Sequence, residues 1–132
     1  VESCAFCELV KDPSGVFVIY EDEDVMAFLN NKPFKPGASI IIPKKHIDDF
    51  FDVPDELANK IVSTAQTLSR KIKSQLKPQR VSCLVNGFSV PHAHFRVIPT
   101  DDKYDVAYAV LREDLKPLSG AQNQQLQKLL SF

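Results

Sequence analysis

The sequence predicts an α+β fold: an antiparallel sheet interrupted by one long helix, with a shorter helix at the C-terminus. Three observations carry that expectation. Short β-rich runs follow one another through residues 16–43 and again through 81–98. One stretch of sustained helical periodicity lies between them. Strands and helices do not alternate as they would in parallel βαβ units.

Taken in order, Val16-Phe17-Val18-Ile19-Tyr20 is β-rich and follows a Pro-Ser-Gly turn at Pro13 to Gly15. Val25-Met26-Ala27-Phe28-Leu29 is a second strand after the acidic turn Glu21 to Asp24, and Asn30 to Gly37 reads as a loop. Ser39-Ile40-Ile41-Ile42-Pro43 is apolar on both faces and reads as a central strand. Pro43 ends it, because proline has no N–H to give the ladder. Asp52 is the expected N-cap of the long helix, with Pro54 in its first turn. Leu57, Ile61, Ala65, Leu68, Ile72 and Leu76 recur at helical spacing, and Pro78 lies just past the end. Val81 to Asn86 is a fourth strand, and Gly87-Phe88-Ser89 turns into a fifth carrying the histidines. Tyr104 to Arg112 reads as a strand or as a segment lying over the site. Ala121 to Leu130 is weakly helical, with Leu126, Leu129 and Leu130 as its apolar side. With no repeat, low-complexity tract or long linker, residues 1–132 read as one domain, with a core at 4–99 and a C-terminal extension over 100–132.

A chain of 132 residues can bury a proper core, and 44% hydrophobic with 25% charged residues is an ordinary globular balance. The net charge of -1 gives no global nucleic-acid footprint, so any anion site is local. No apolar run approaches the ~20 residues of a membrane span. Val1-Glu2-Ser3 lacks the basic-then-apolar pattern of a signal peptide. Three cysteines, an odd number, argue against a disulfide framework and for reduced thiols in a cytoplasmic compartment.

The most informative stretch is His92-Ala93-His94-Phe95-Arg96. Strand alternation would put His92, His94 and Arg96 on one face and turn Ala93, Phe95 and Val97 to the core. Two imidazoles and a guanidinium in a row stabilise a sheet poorly but suit a phosphate. An imidazole near its neutral pKa is a nucleophile, Arg96 is a fixed positive charge, and the nearby Ser89 hydroxyl is a donor. The blander reading is a satisfied, half-buried histidine beside an exposed sheet arginine, and the clustering of these groups weighs against it. Cys4-Ala5-Phe6-Cys7 could be two small buried residues, a redox pair or half a metal site. The redox reading needs a thioredoxin-like βαβ context, which is absent. The metal reading needs two more ligands from His46, His92 and His94. If His94 is kept for chemistry, Cys4, Cys7, His46 and His92 form a closed Cys2His2 set of the structural zinc type. Cys83, in an apolar strand, reads as core. The Cys and His spacing is not that of a zinc finger and no basic stripe accompanies it, which speaks against a nucleic-acid module.

At these residues the chain resembles the histidine-triad (HIT) family of nucleotide hydrolases and transferases, whose motif is His-φ-His-φ-His-φ-φ with φ hydrophobic. The likeness runs from Cys4 to about Pro99. Cys4-Ala5-Phe6-Cys7 matches the zinc-binding start of many bacterial members. Tyr20-Glu21-Asp22 through Leu29 matches their "YED…VLAFLD" segment. Lys35-Pro36-Gly37 and Ile42-Pro43-Lys44-Lys45-His46 match "TPGH…IPKKH". The resemblance implies a five-stranded antiparallel meander, a homodimer, and one zinc on Cys4, Cys7, His46 and His92. It implies that His94 attacks a nucleoside α-phosphate to give a nucleotidyl-histidine that water hydrolyses. It places Phe6, Leu9 and Phe28 at the nucleoside, although as bare residues Phe6 and Phe28 would more often be core.

Three departures stand out. Arg96 replaces the third histidine, keeping charge but unable to shuttle a proton. Asn30 replaces the aspartate that meets the ribose hydroxyls, and Asn31 stands where a base-covering aliphatic is usual. Asn86 and His92 are only six apart, so the phosphate loop is short, with Asn86, Ser89 and Val90 retained. The expected activity is cleavage of a phosphoramidate or phosphoanhydride at a nucleoside α-phosphate. The alternative is a nucleotide-binding or interaction protein on the same fold that catalyses weakly.

Overall fold

The computed structural model describes residues 4–132, so the signal-peptide reading of Val1-Glu2-Ser3 lies outside the described residues. Five strands form one antiparallel sheet: β1 (Val18–Glu21), β2 (Val25–Leu29), β3 (Ser39–Pro43), β4 (Arg80–Leu84) and β5 (Phe95–Thr100). Their order across the sheet is β1-β2-β3-β5-β4. As its two-sided apolarity predicts, β3 is central. It pairs with β2 in the register Met26 to Ile42, Ala27 to Ile41 and Phe28 to Ile40.

That register sorts the side chains onto two faces. Ala27, Ile41 and Val97 pack under α2 (Asp55–Leu76), against Ile61, Leu68 and Ile72. Met26, Phe28, Ile40 and Ile42 form a second cluster with Phe6 from α1 (Ala5–Lys11). The helix α2 carries acids at its start, Asp55 and Glu56, and Lys73 in its last turn, matching the macrodipole. Its N-cap is Pro54 rather than the expected Asp52. The chain makes a separate 3-10 turn over Phe50–Asp52, capped by the Asp49 carboxylate accepting from Phe51 N–H at 2.9 Å. Three acidic residues in one short segment each offered a cap, and local spacing alone did not rank them.

Two further differences concern the tail and β4. Tyr104 to Arg112 is neither strand nor cover for the histidines: Asp105–Leu111 is helix α3. Asp105 is buried, and its carboxylate accepts from the backbone N–H groups of Asp101 and Asp102, which fastens the helix start beyond the end of β5. Cys83 is exposed rather than core, because β4 is an edge strand: opposite Val97, Cys83 lies on the α2 face but borders an open groove beside that helix. The other edge is covered. From α4 (Gly120–Leu130), Gln127 Nε2 donates to the Val18 carbonyl at 2.8 Å, and Phe132 N–H donates to that of Ile19 at 3.1 Å.

Gly37 shows how tightly the helix ends meet the loop before β3. Its φ is 95°, in the left-handed region, and an added Cβ would run into Leu76 Cδ1. Gly37→Ala is therefore expected to cost roughly 2–4 kcal/mol in a denaturant titration, from backbone conformation plus overpacking.

Asp22 ties the β1–β2 turn to α2. Its carboxylate accepts from the Tyr20 hydroxyl at 2.7 Å and from Asp24 and Val25 N–H, and it pairs with Lys60 at 3.0 Å. Partial burial opposes its ionisation, but these donors win and hold the carboxyl well below the usual range. A depressed carboxylate contributes stability above its unfolded pKa of about 4 and loses it as pH falls through the folded value. Unfolding free energy should therefore drop steadily below about pH 4, and Asp22→Ala should be less stable at neutral pH and show a shallower acid loss.

Candidate functional site: a metal cluster beside a buried histidine

The fold gathers the predicted metal ligands from three places. Cys4 is the N-cap of α1, its Sγ accepting from Cys7 N–H at 3.2 Å, so the first turn of α1 aims both sulfurs the same way. His46 follows β3, where Lys44 N–H is held by the Asp24 carbonyl at 2.8 Å. His92 precedes β5. The ligand atoms of Cys4, Cys7, His46 and His92 all lie within 4.8 Å of one another.

The finer geometry fits a tetrahedral ion. Cys4 Sγ lies 3.6 Å from His46 Nδ1 and 3.3 Å from His92 Nδ1; Cys7 Sγ lies 3.1 and 3.5 Å from the same atoms. Tetrahedral zinc with ordinary bond lengths would separate sulfur and nitrogen by about 3.5 Å. The hydrogen bonding of His92 agrees. Its Nε2 is 2.8 Å from the Pro43 carbonyl, which can only accept, so Nε2 carries the proton and Nδ1 offers its lone pair to the sulfurs. Burial pushes the His92 imidazole below its ordinary pKa, which keeps the neutral, ligating form.

His94 is arranged the opposite way. It is 3% exposed. Its Nδ1 is 2.7 Å from the His92 carbonyl, so Nδ1 carries the proton and Nε2 keeps the lone pair. That Nε2 faces the Ser89 hydroxyl at 3.5 Å. Two residues apart, the histidines free opposite nitrogens because different carbonyls hold them.

The sequence expects both histidines on one strand face, but β5 begins only at Phe95. His92 and His94 sit in irregular chain, held by Ala93 N–H donating to the Ile47 carbonyl at 2.6 Å. This departure from the pleat lets the two rings serve different neighbours. Arg96 lies within β5, opposite Ile40 and Leu84. Phe95 and Val97 pack toward α2, so Arg96 stands on the face that carries Phe28 and Ile40. It is half-buried, and burial pushes its pKa down without stripping its charge.

The remaining expected residues fall in two groups. Phe6 packs edge-on to His94, ring centres 5.3 Å apart, and edge-on to Phe28 at 5.7 Å, with Leu9 in the same cluster. Asn30 is half-buried at the end of β2, and its Oδ1 already accepts from Lys32 N–H at 3.1 Å. Asn86 lies elsewhere, on the wall of a cavity of about 400 Å³ whose floor includes His94. Phe50, Phe51, Phe88, Asp48 and Asp49 also line that cavity. Sequence reasoning did not single out these five. The available signal was an exposed aromatic in a turn at Phe88 and the doublet Phe50-Phe51 between acids.

Residues 14–103 match the family model of the HIT domain. The chain belongs to the HIT family. A curated relative, the protein hit of Bacillus subtilis, is 33% identical over 124 residues, covering 88% of this chain and 86% of its own length. Among solved structures, a zinc-bound histidine triad family protein from Mycobacterium smegmatis is 26% identical with a TM-score of 0.78, covering 97% of this chain and 93% of that one. A hypothetical histidine triad nucleotide-binding protein from Sulfolobus tokodaii is 25% identical with a TM-score of 0.82, covering 96% and 89%. The Cys4, Cys7, His46 and His92 set fits a structural zinc, as in the zinc-binding branch of this HIT family. No helix among the described residues is long and apolar enough to cross a membrane.

Proposed function

We propose that this HIT-family chain is a nucleotide-binding hydrolase or nucleotidyl transferase that cleaves a phosphoramidate or phosphoanhydride bond at a nucleoside α-phosphate. The observation that carries the reading is the tautomer of His94. With Nδ1–H committed to the His92 carbonyl, the buried Nε2 is the nitrogen left to act as a nucleophile. In the first step the Nε2–phosphorus bond forms and the bond to the leaving group breaks. In the second, water displaces the histidine and restores the neutral ring, or another acceptor takes the nucleotidyl group. Arg96 and the Ser89 hydroxyl oppose the charge that grows on the phosphate oxygens, and Asn86 offers a further donor. Phe6, Leu9 and Phe28 form the apolar wall for the nucleoside, and the Asn30 amide faces the ribose. Cys4, Cys7, His46 and His92 would hold a structural zinc that ties down α1, the helix whose Phe6 packs against His94.

The whole chain is read as one domain acting in the cytoplasm, where the zinc thiols stay reduced. The open edge of β4 supports a homodimer, measurable as twice the chain mass by light scattering. The test of the catalytic reading is a nucleoside phosphoramidate turned over by the wild type, with a nucleotidyl adduct on His94 trapped by mass spectrometry. Arg96 favours a second reading, a nucleotide binder of low turnover, because an arginine cannot hand a proton to a leaving group. Tight binding of a nucleoside monophosphate without turnover, with activity gained in Arg96→His, would select it.

A further inference from the structure

The cavity above His94 has a character that the proposed reaction does not by itself require. Its charged walls are both acidic, Asp48 and Asp49, and no Lys or Arg is among the described residues that line it. Lys44, close by in sequence, is paired with Glu21 at 2.6 Å. Two aromatic rings stand almost free of the protein surface, Phe51 at 88% and Phe88 at 93% exposure, and both border this cavity. The buried His94 and Asn86 both line it. Phe6, Leu9, Phe28 and Asn30 do not line it, so it is separate from the apolar wall assigned to the nucleoside.

The leaving group departs on the side of phosphorus away from the attacking Nε2. His94 and Asn86 line this cavity together with Phe51, Phe88, Asp48 and Asp49, so a leaving group that enters it would meet those four side chains. A phosphoanhydride would push a second anionic phosphate between two carboxylates, with no Lys or Arg among the described lining residues to offset them. An amine that keeps a positive charge finds two carboxylates and two ring faces, the combination that recognises ammonium groups.

We propose that this cavity is a leaving-group subsite selecting phosphoramidates whose departing amine carries a second, cationic ammonium, such as a linear diamine. The proposal rests on the hydrolase reading above. In the step it describes, the His94 Nε2–phosphorus bond forms and the phosphorus–nitrogen bond breaks. The departing nitrogen leaves with its electron pair and a proton supplied by water.

Three adenosine 5′-phosphoramidates of equal chain length test it: one of a linear diamine, one of the matching monoamine, and one of the matching amino acid with a terminal carboxylate. Wild-type kcat/KM should fall in that order, by roughly threefold or more at each step, and the spread should shrink at high salt. The double variant Asp48→Asn, Asp49→Asn keeps a side-chain oxygen at position 49 to cap the 3-10 turn, and it should bring the three values within about twofold of one another. Phe51→Ala with Phe88→Ala should lower kcat/KM most for the diamine. Equal values for all three in the wild type, or an order unchanged in the Asp double variant, would overturn the subsite while leaving the hydrolase reading intact. No turnover of any of the three, with no adduct on His94, would overturn the hydrolase reading and this subsite with it.

Discussion

Stripping zinc with a strong chelator is expected to lower the melting temperature by about 10 °C or more and to release the N-terminal helix first. The reason lies in how little else holds α1. It has seven residues, too few to persist without tertiary anchors. Its anchors are Phe6, packed on Phe28 and His94, the partly buried Leu9 and Val10 beside it, and the two sulfurs, which face His46 and His92. Without the ion, the buried Cys4 and His92 keep only weak sulfur–nitrogen contacts with each other. Cys7→Ser preserves shape and removes one ligand, so it should reproduce most of the loss. Elemental analysis should find about one zinc per chain. A metal-free protein whose melting is indifferent to chelator would remove zinc from the account of stability. Because Phe6 rides on the same helix, hydrogen exchange in the segment before β5 should speed up together with that of α1.

Much of this was legible in the sequence because it rests on short-range pattern. The period-2 and period-3.6 runs located β2, β3 and α2 closely, and the two-sided apolarity of Ser39–Pro43 placed β3 at the centre. The ligand set was legible from chemistry, since histidines are scarce and the Cys-x-x-Cys pair needed two of them. What stayed hidden depends on tertiary partners. The motif His92-Ala93-His94 has strand-like alternation, yet it lies outside β5, with His92 N–H on the Val90 carbonyl and Ala93 N–H on that of Ile47. Cys83 looked apolar by its neighbours, but exposure depends on which strand is last in the sheet, and strand order is not a local property. The helix α1 escaped notice because seven residues give barely two turns of periodicity, and its cap is a cysteine. The acidic, aromatic cavity joins residues 48–51 with 85–88, a pairing that only the folded chain reveals.

Replacing His94 by alanine is expected to lower kcat by at least ~10³–10⁴-fold, about 4–5.5 kcal/mol of transition-state stabilisation. Among the described residues, no other group is placed to take over the attack. The nearest side chain able to do so is the Ser89 hydroxyl, 3.5 Å from Nε2, and without the imidazole it has no base beside it. His92 is held by the Pro43 carbonyl on one nitrogen and turned to the sulfurs on the other. Affinity for a nucleoside monophosphate should change by no more than about threefold, because the phosphate would still meet Arg96 and Ser89. Arg96→Gln should show the converse split, weakening nucleotide binding while the His94 adduct can still form. These two variants separate covalent chemistry from charge. Equal turnover in wild type and His94→Ala would end the nucleophile assignment. A monophosphate affinity that collapses in His94→Ala and survives in Arg96→Gln would reverse the two roles. The variant His94→Gln sharpens the test: its amide can imitate the bond to the His92 carbonyl but has no nucleophilic nitrogen, so it should retain the fold and its melting temperature while losing the adduct.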